Sequence, residues 1–235
     1  MIQNMRDLGG IRSSDGRVIR HGMLVRSAAL VNAEPEDLVG ISTVIDIRTT
    51  EETLEKPDIT FGQEYLHLPV FDEAVKGVSH ESKTDEVEVP KMDIFDMRAI
   101  YAKIVSLRFK EYSRVLRTIM SHDFSTGAVL WHCTEGKDRC GLTTAMLLEI
   151  LGIPKDAIME DYLKTNLVNL EKAEKLKEKL LVERGEVVAE RFYRAMIADA
   201  SYLEAAWDEM GDNYISDRLK IEEPEIMEFR EKILS

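Results

Sequence analysis

One run of ten residues, His132-Cys133-Thr134-Glu135-Gly136-Lys137-Asp138-Arg139-Cys140-Gly141, constrains this chain more than any other. The apolar run Ala128-Val129-Leu130-Trp131 leads into it, and helix-like spacing starts at Leu142. Five residues separate Cys133 from Arg139, enough for a loop to curl around one tetrahedral anion. In such a loop the backbone N–H groups point inward and a helix N-terminus stands behind them. The run reads as a phosphate cradle with a nucleophile at its base.

The chemistry follows from the residue types. A thiolate attacks phosphorus well when its pKa is lowered, and inward N–H groups, the helix dipole and Arg139 are expected to lower that of Cys133. The planar fork of Arg139 matches two oxygens of a transferring phosphoryl group. Thr134, Glu135, Gly136 and Lys137 supply the loop backbone, Gly136 frees it from Cβ restrictions, and Lys137 adds a point charge at the rim. Cleavage through a phosphocysteine requires an acid for the leaving oxygen. Asp138 is one candidate; Asp72, Asp93 and Asp96 are its rivals. A Cys and an Arg at this spacing occur by chance in many chains, but His, Cys, Gly and Arg at fixed offsets between a strand and a helix are far rarer.

With 44% hydrophobic and 32% charged residues, the chain has the balance of a soluble globular protein, and 235 residues suit one domain. A net charge of −13 argues against a general attraction to nucleic acid or anionic membranes. The most apolar stretch, from Ala145 to Leu151, is interrupted by Glu149 and stopped by Gly152 and Pro154, too short for a bilayer. The first residues lack the apolar core of a signal peptide, so a cytoplasmic location is expected. Both cysteines lie in the one loop, so their role is chemical or local.

Strand and helix signals alternate along the chain. Asp15-Gly16 reads as a hairpin turn, and Met23 to Ser27 as a strand. A helix-like piece follows from Glu34 to Val39, with Asn32 as its cap. Thr43 to Arg48 is a buried strand ending in a polar loop, Thr49 to Glu52. Tyr65 to Val70 is a strand demoted toward an edge by Pro69. Asp72 to Asp93 reads as a long loop. One helix is expected from Met97 to Met120, burying Ile100, Ile104, Leu107, Val115, Leu116 and Ile119. Leu163, Leu167, Leu170, Ala173, Leu176 and Leu180 mark the apolar face of a long amphipathic helix. Further helices are expected over Glu186 to Asp199, Tyr202 to Met210 and Pro224 to Leu234.

At the loop, the chain resembles the cysteine-dependent phosphatases of the protein tyrosine phosphatase superfamily, whose signature is His-Cys, five residues and Arg. More narrowly, Gly136-Lys137-Asp138-Arg139 is similar to the bacterial tyrosine/serine and phosphoinositide group typified by the mycobacterial tyrosine phosphatase B. Asn4 to Gly10, Leu24 to Ser27, Val44 to Arg48, Asp161-Tyr162-Leu163 with Asn166, and Tyr202-Leu203 fall in the same order as similar segments of that group. The resemblance implies an α/β fold, a central mostly parallel sheet flanked by helices, in a single domain over residues 1–235. It also implies a helical lid over about residues 162–199. It makes Cys133 the nucleophile, Arg139 the phosphate clamp and Asp138 the favoured acid, and it associates Lys137 with phosphoinositides. The family's hydroxyl after the arginine is Cys140 here. An S–H donates more weakly, so slow breakdown of the phosphoenzyme is expected. A reversible Cys133–Cys140 disulfide is a further expectation.

Among the supporting residues, His132 at a buried strand end is read as orienting the loop, and Asp46 with Arg48 as a supporting ion pair. Arg6 with Asp7, and Arg26, are further candidates for support. The remaining histidines show no ligand spacing with one another or with the cysteines, so no metal and no cofactor are expected. Lys172, Lys175, Lys177 and Lys179 read as a solvated helix face. The function expected is a phosphomonoester hydrolase acting on phosphotyrosine, with phosphoserine, phosphothreonine or phosphoinositide as further substrates. Two other classes compete: a non-catalytic phosphate-binding module, and a sulfur enzyme of the rhodanese or arsenate reductase type.

Overall fold

The computed structural model describes residues 1–71 and 96–235; the expected loop from Asp72 to Asp93 lies outside them. Strands β1 (Arg6–Asp7), β2 (Leu24–Ser27), β3 (Ile41–Asp46), β4 (Glu64–His67) and β5 (Ala128–His132) form one sheet. Their order is β1-β2-β5-β3-β4, and every pairing is parallel except β1 with β2. Successive strand residues face opposite ways. Leu24, Ile45, Val129 and Trp131 therefore enter the larger core, and Val25, Val44, Ala128 and Leu130 enter a smaller one on the other face. A sheet covered on both faces accounts for the near-continuous apolar run of β5 and for the burial of the last four residues of β3. β4 is an edge strand, consistent with Pro69 two residues beyond its end.

β5 is central, and its neighbours β2 and β3 end level with it: Ser27 and Asp46 both pair with His132. Open parallel sheets place ligands beyond the carboxyl ends of such strands, where the order of connections reverses. The cysteine loop emerges at that point. Helix α1 (Thr50–Glu55) lies between β3 and β4, α2 (Met97–Leu107) and α3 (Phe109–Met120) lie between β4 and β5, and α4 (Asp138–Ile150) follows β5. They are followed by α5 (Lys155–Leu163), α6 (Asn166–Arg184), α7 (Glu186–Met196), α8 (Ala200–Met210), α9 (Tyr214–Asp217) and α10 (Glu223–Ile233). α4 begins inside the ten-residue run, four residues earlier than its apolar spacing indicates, and buries every residue except Glu149.

Several local expectations are corrected. The Asn32 cap is replaced by Glu34, which precedes a single 3-10 turn over Pro35–Leu38. Thr49 to Glu52 is not a loop: Thr49 caps α1, accepting from the Glu52 N–H, while the Glu52 carboxylate accepts from the Thr49 N–H. This capping box stabilises the helix start by about 1 kcal/mol. The long helix expected over Met97 to Met120 is two helices, broken where Arg108 adopts φ −110°, ψ 21°, and the break leaves Leu107 exposed. In α6 the expected apolar face is only partly covered: Ala173 is buried, Leu176 and Leu180 are half-buried, Leu170 is exposed and Leu167 is 87% exposed, while the buried residues of the helix are Asn169 and Ala173. The helix packs mainly on α7, which buries only Ala189 and Ala195, so small residues form the seam. This hairpin starts at Asn166. Tyr162, the expected first lid residue, is a buried member of α5.

Candidate active site

The backbone of the loop is fastened from outside. Asn4 Nδ2 donates to the carbonyls of Glu135 (3.2 Å) and Gly136 (2.9 Å), Arg26 Nη2 donates to Gly136 O at 2.7 Å, and the Ala29 N–H donates to Thr134 O at 3.1 Å. Carbonyls of three consecutive residues thus face outward, and across each trans peptide the following N–H faces the other way. That is the geometry of an anion-binding nest. Gly136 is required on two counts: its φ is +67°, and a Cβ there would lie 2.6 Å from the Ser27 carbonyl oxygen.

Arg26, fully buried, is balanced by Asp161, whose Oδ2 it meets at 2.8 Å, and Arg6 meets Asp161 Oδ1 at 2.7 Å. Burial raises the Asp161 pKa, but the two guanidinium groups outweigh it and hold the carboxyl below its ordinary value. Arg6 therefore pairs with Asp161 rather than with its neighbour Asp7, which meets His21.

Arg139 stands on the first turn of α4. Its Nη1 and Nη2 donate to Glu52 Oε2 and Oε1 at 2.5 and 2.6 Å, and Nη2 reaches Thr134 Oγ1 at 3.2 Å. Thr134 also donates to Glu52 at 2.5 Å. Glu52 uses one N–H from each Nη and fixes the plane of the guanidinium, leaving three of its five donors to other acceptors. The Phe71 ring lies 5.6 Å from the Arg139 guanidinium carbon.

Burial raises the Glu52 pKa, but Arg139 and Thr134 overcome this and hold it at about 2. A depressed carboxyl pKa contributes stability that is present above the unfolded value and lost as pH falls through the folded one. The window runs from about 4.5 down to about 2, and the loss is about 3 kcal/mol. Urea unfolding across this window is expected to show that loss, and Glu52→Gln to flatten it; parallel curves for the two proteins would contradict the pairing.

Asp138 accepts from Tyr101 Oη at 2.7 Å, and Tyr101 is in turn 2.8 Å from Tyr162 Oη. Lys137 is turned away from the rim position expected of it. Its Nζ is buried, donates to the carbonyls of Ala195 and Ile197 at the end of α7, and lies 3.2 Å from Asp138 Oδ1. The carbonyls closing a helix are natural acceptors for an ammonium group, a pull no local spacing announces. Among the rival acids, Asp96 caps α2 through the N–H groups of Arg98 and Ala99; Asp72 and Asp93 lie outside the described residues.

Burial is the largest influence on Cys133 and pushes its thiol up to about 11, against the pull of Arg139 and the Cys140 N–H. This corrects the expected lowering: the favourable charges are present, but only 3% of the residue is exposed. Cys140 is a second free buried thiol, and its Sγ is directed at the Trp131 carbonyl at 3.7 Å.

Beneath the loop, Arg48 donates to both oxygens of Asp46 (2.7 to 3.0 Å) and to Asp58 at 2.7 Å, and Tyr65 donates to Asp46 at 2.6 Å. His132 places Nε2 3.1 Å from Asp58 and Nδ1 3.3 Å from the Cys133 carbonyl. Asp46, Asp58 and His132 bring possible metal-ligand atoms within 4.8 Å of one another. The Arg48 guanidinium already bridges the two carboxylates, so the pocket has its cation. Residue spacing alone did not reveal this grouping, because Asp58 is far from His132 in sequence.

Asn4, Glu52, Asp58, Tyr65, Tyr101, Asp161 and Tyr162 are site residues to which the sequence alone assigned no role. Only Glu52 carried a local signal, the Thr-x-x-Glu capping box from Thr49.

A protein of Cupriavidus necator named as a tyrosine-protein phosphatase is 29% identical over 234 residues, covering 94% of this chain and 83% of its own length. The triple specificity protein phosphatase PtpB of Mycobacterium tuberculosis is 26% identical over 187 residues, covering 69% of this chain and 66% of that protein. The crystal structure of P. aeruginosa TpbA is a more distant match. It covers 81% of this chain and 91% of its own at 18% identity, with a TM-score of 0.38. The model of the tyrosine phosphatase family matches residues 1–235, and the chain belongs to that family.

Proposed function

We propose that this phosphatase hydrolyses phosphotyrosine, and phosphoserine, phosphothreonine or phosphoinositide esters as well, through a phosphocysteine on Cys133. The observation that carries this reading is the loop of outward carbonyls closing on Arg139, whose guanidinium Glu52 holds in plane. The triple specificity in the mycobacterial relative's name supports more than one substrate class.

In the first step the Cys133 sulfur forms a bond to phosphorus as the P–O bond to the leaving group breaks. The thiol proton passes to bulk water before the attack and is regained from water once the S–P bond has broken, while the leaving oxygen keeps the bonding pair and takes a proton from Asp138. In the second, water attacks phosphorus, its proton passes to Asp138, and the S–P bond breaks with its pair returning to sulfur. Ester and water become alcohol and phosphate. Arg139 and the loop N–H groups meet the equatorial oxygens in both steps. Because the Cys140 thiol faces the Trp131 carbonyl, the second step lacks the hydroxyl usual in the family and is the slower one.

The domain is proposed to span residues 1–235 and to act in the cytoplasm, with the α6–α7 hairpin as its lid. No helix among the described residues is long and apolar enough to cross a membrane. The test is rapid-mixing hydrolysis of p-nitrophenyl phosphate and a phosphotyrosine peptide. A stoichiometric burst of product, a slower steady rate and an acid-trapped phosphoenzyme are expected. Tight binding without hydrolysis would leave a phosphate-binding module, and sulfur transfer from thiosulfate would indicate the sulfur enzyme.

A further inference from the structure

The reaction above uses Asp138 but leaves open which of its oxygens delivers the proton, and three elements converge on that question. Tyr101 comes from α2, Asp138 from the first turn of α4, and Tyr162 from α5. Tyr101 and Tyr162 are both fully buried. Their rings meet edge to face at 6.2 Å, and the Tyr202 ring of α8 packs 5.7 Å from Tyr101 on another side. A Cβ on Gly141 would lie 3.1 Å from two Tyr162 ring atoms, so that ring is pressed against the turn carrying Arg139 and Asp138. Neither phenol has room to swing away.

The hydrogen-bond order follows from chemistry. The Tyr101 hydroxyl donates to Asp138 Oδ1, so its single proton is spent and its oxygen accepts from Tyr162. The second donor near Asp138, the Lys137 ammonium, is close to the same oxygen, Oδ1, at 3.2 Å. A proton on Oδ1 would face two donors and break the order of the chain. A proton on Oδ2 leaves every one of these contacts intact.

We propose that Tyr101, backed by Tyr162, is a positioning residue that reserves Oδ2 of Asp138 as the atom giving the proton to the leaving oxygen and taking it back from water. This rests on Asp138 as the acid of the proposed reaction. The buried chain fixes the carboxyl's rotation as well, so the proton is presented in one direction. Geometry held by packed neighbours in this way is what an efficient proton transfer requires.

The experiment compares single-turnover rates of the full chain on phenyl phosphate and p-nitrophenyl phosphate. The first has a poor leaving group that needs the proton, and the second a good one that needs it less. Tyr101→Phe keeps the ring and removes the hydroxyl. It is expected to lower the cleavage rate on phenyl phosphate by about tenfold or more, with a smaller loss on p-nitrophenyl phosphate and KM unchanged for both. Tyr162→Phe is expected to show the same pattern more weakly, and it carries the test if Tyr101→Phe fails to fold. In the Asp138→Asn background, Tyr101→Phe is expected to add nothing, since the group it positions is gone. Equal losses on both esters, or an undiminished loss in the Asp138→Asn background, would overturn the positioning role. If Asp138→Asn itself cleaves phenyl phosphate at the unsubstituted rate, the acid assignment falls first. If Asp138→Asn is impaired and Tyr101→Phe is not, only the role of Tyr101 falls.

Discussion

Cys133→Ser is expected to reduce kcat by about 10⁴-fold or more on any phosphomonoester, with no phosphoenzyme trapped and with phosphate binding retained. The fold should survive, because the serine hydroxyl is smaller than the thiol and the loop is held by contacts that do not pass through this side chain. Asn4, Arg26 and Ala29 fasten its backbone, and Gly136 fits beneath Ser27. What disappears is the nucleophile. A serine alkoxide is far harder to form than a thiolate, and the adjacent His132 turns its ring nitrogens to the Cys133 backbone carbonyl and to Asp58 rather than to the side chain at 133. Calorimetric titration with inorganic phosphate or vanadate should give affinities for the variant close to those of the unsubstituted protein. A Cys133→Ser protein that still turns over p-nitrophenyl phosphate would remove phosphocysteine from the mechanism.

The part of the site that could be read from sequence is the part contained in one continuous segment. Cys133, Gly136 and Arg139 lie within a few residues of one another, between a strand and a helix whose patterns are strong, so their spacing already encodes a closed loop. The groups that hold this loop come from elsewhere: Glu52 is 87 residues from Arg139, and Asp161 is 155 from Arg6. Their pairing depends on tertiary placement: α1 follows β3, the sheet neighbour of β5, and Asp161 on α5 reaches Arg6 of β1 and Arg26 of β2; no local period carries that information. Burial is similarly non-local. The charges expected to lower the Cys133 pKa are all present, and desolvation by the surrounding fold still outweighs them. Lys137 illustrates the same limit, since its direction is decided by the carbonyls ending a helix almost sixty residues downstream. In α6 the apolar period suggested a broad buried face, but a hairpin of two helices covers only a narrow seam of Ala173 and Ala189.

Arg139→Lys is the second large effect, about 10³-fold in kcat/KM on a phosphotyrosine peptide, because one charge is kept while the fork is lost. A guanidinium donates one N–H to each oxygen of Glu52 and still has donors left for equatorial phosphoryl oxygens. An ammonium placed to satisfy Glu52 cannot also span two of those oxygens in a plane. Its shorter reach also leaves the partly buried Glu52 carboxylate with Thr134 as its remaining side-chain donor, so part of the loss should come from the displaced carboxylate. Removing that charge separates the two contributions. In the Glu52→Gln background, Arg139→Lys is expected to cost clearly less than it does alone, while the phosphate contacts it forfeits keep the residual loss above about tenfold. The measurement is the double-mutant cycle on kcat/KM, with near-ultraviolet circular dichroism confirming that all three variants fold. Activity of Arg139→Lys within about tenfold of the unsubstituted protein would show that charge alone suffices at this position, and the planar clamp would no longer explain the loop.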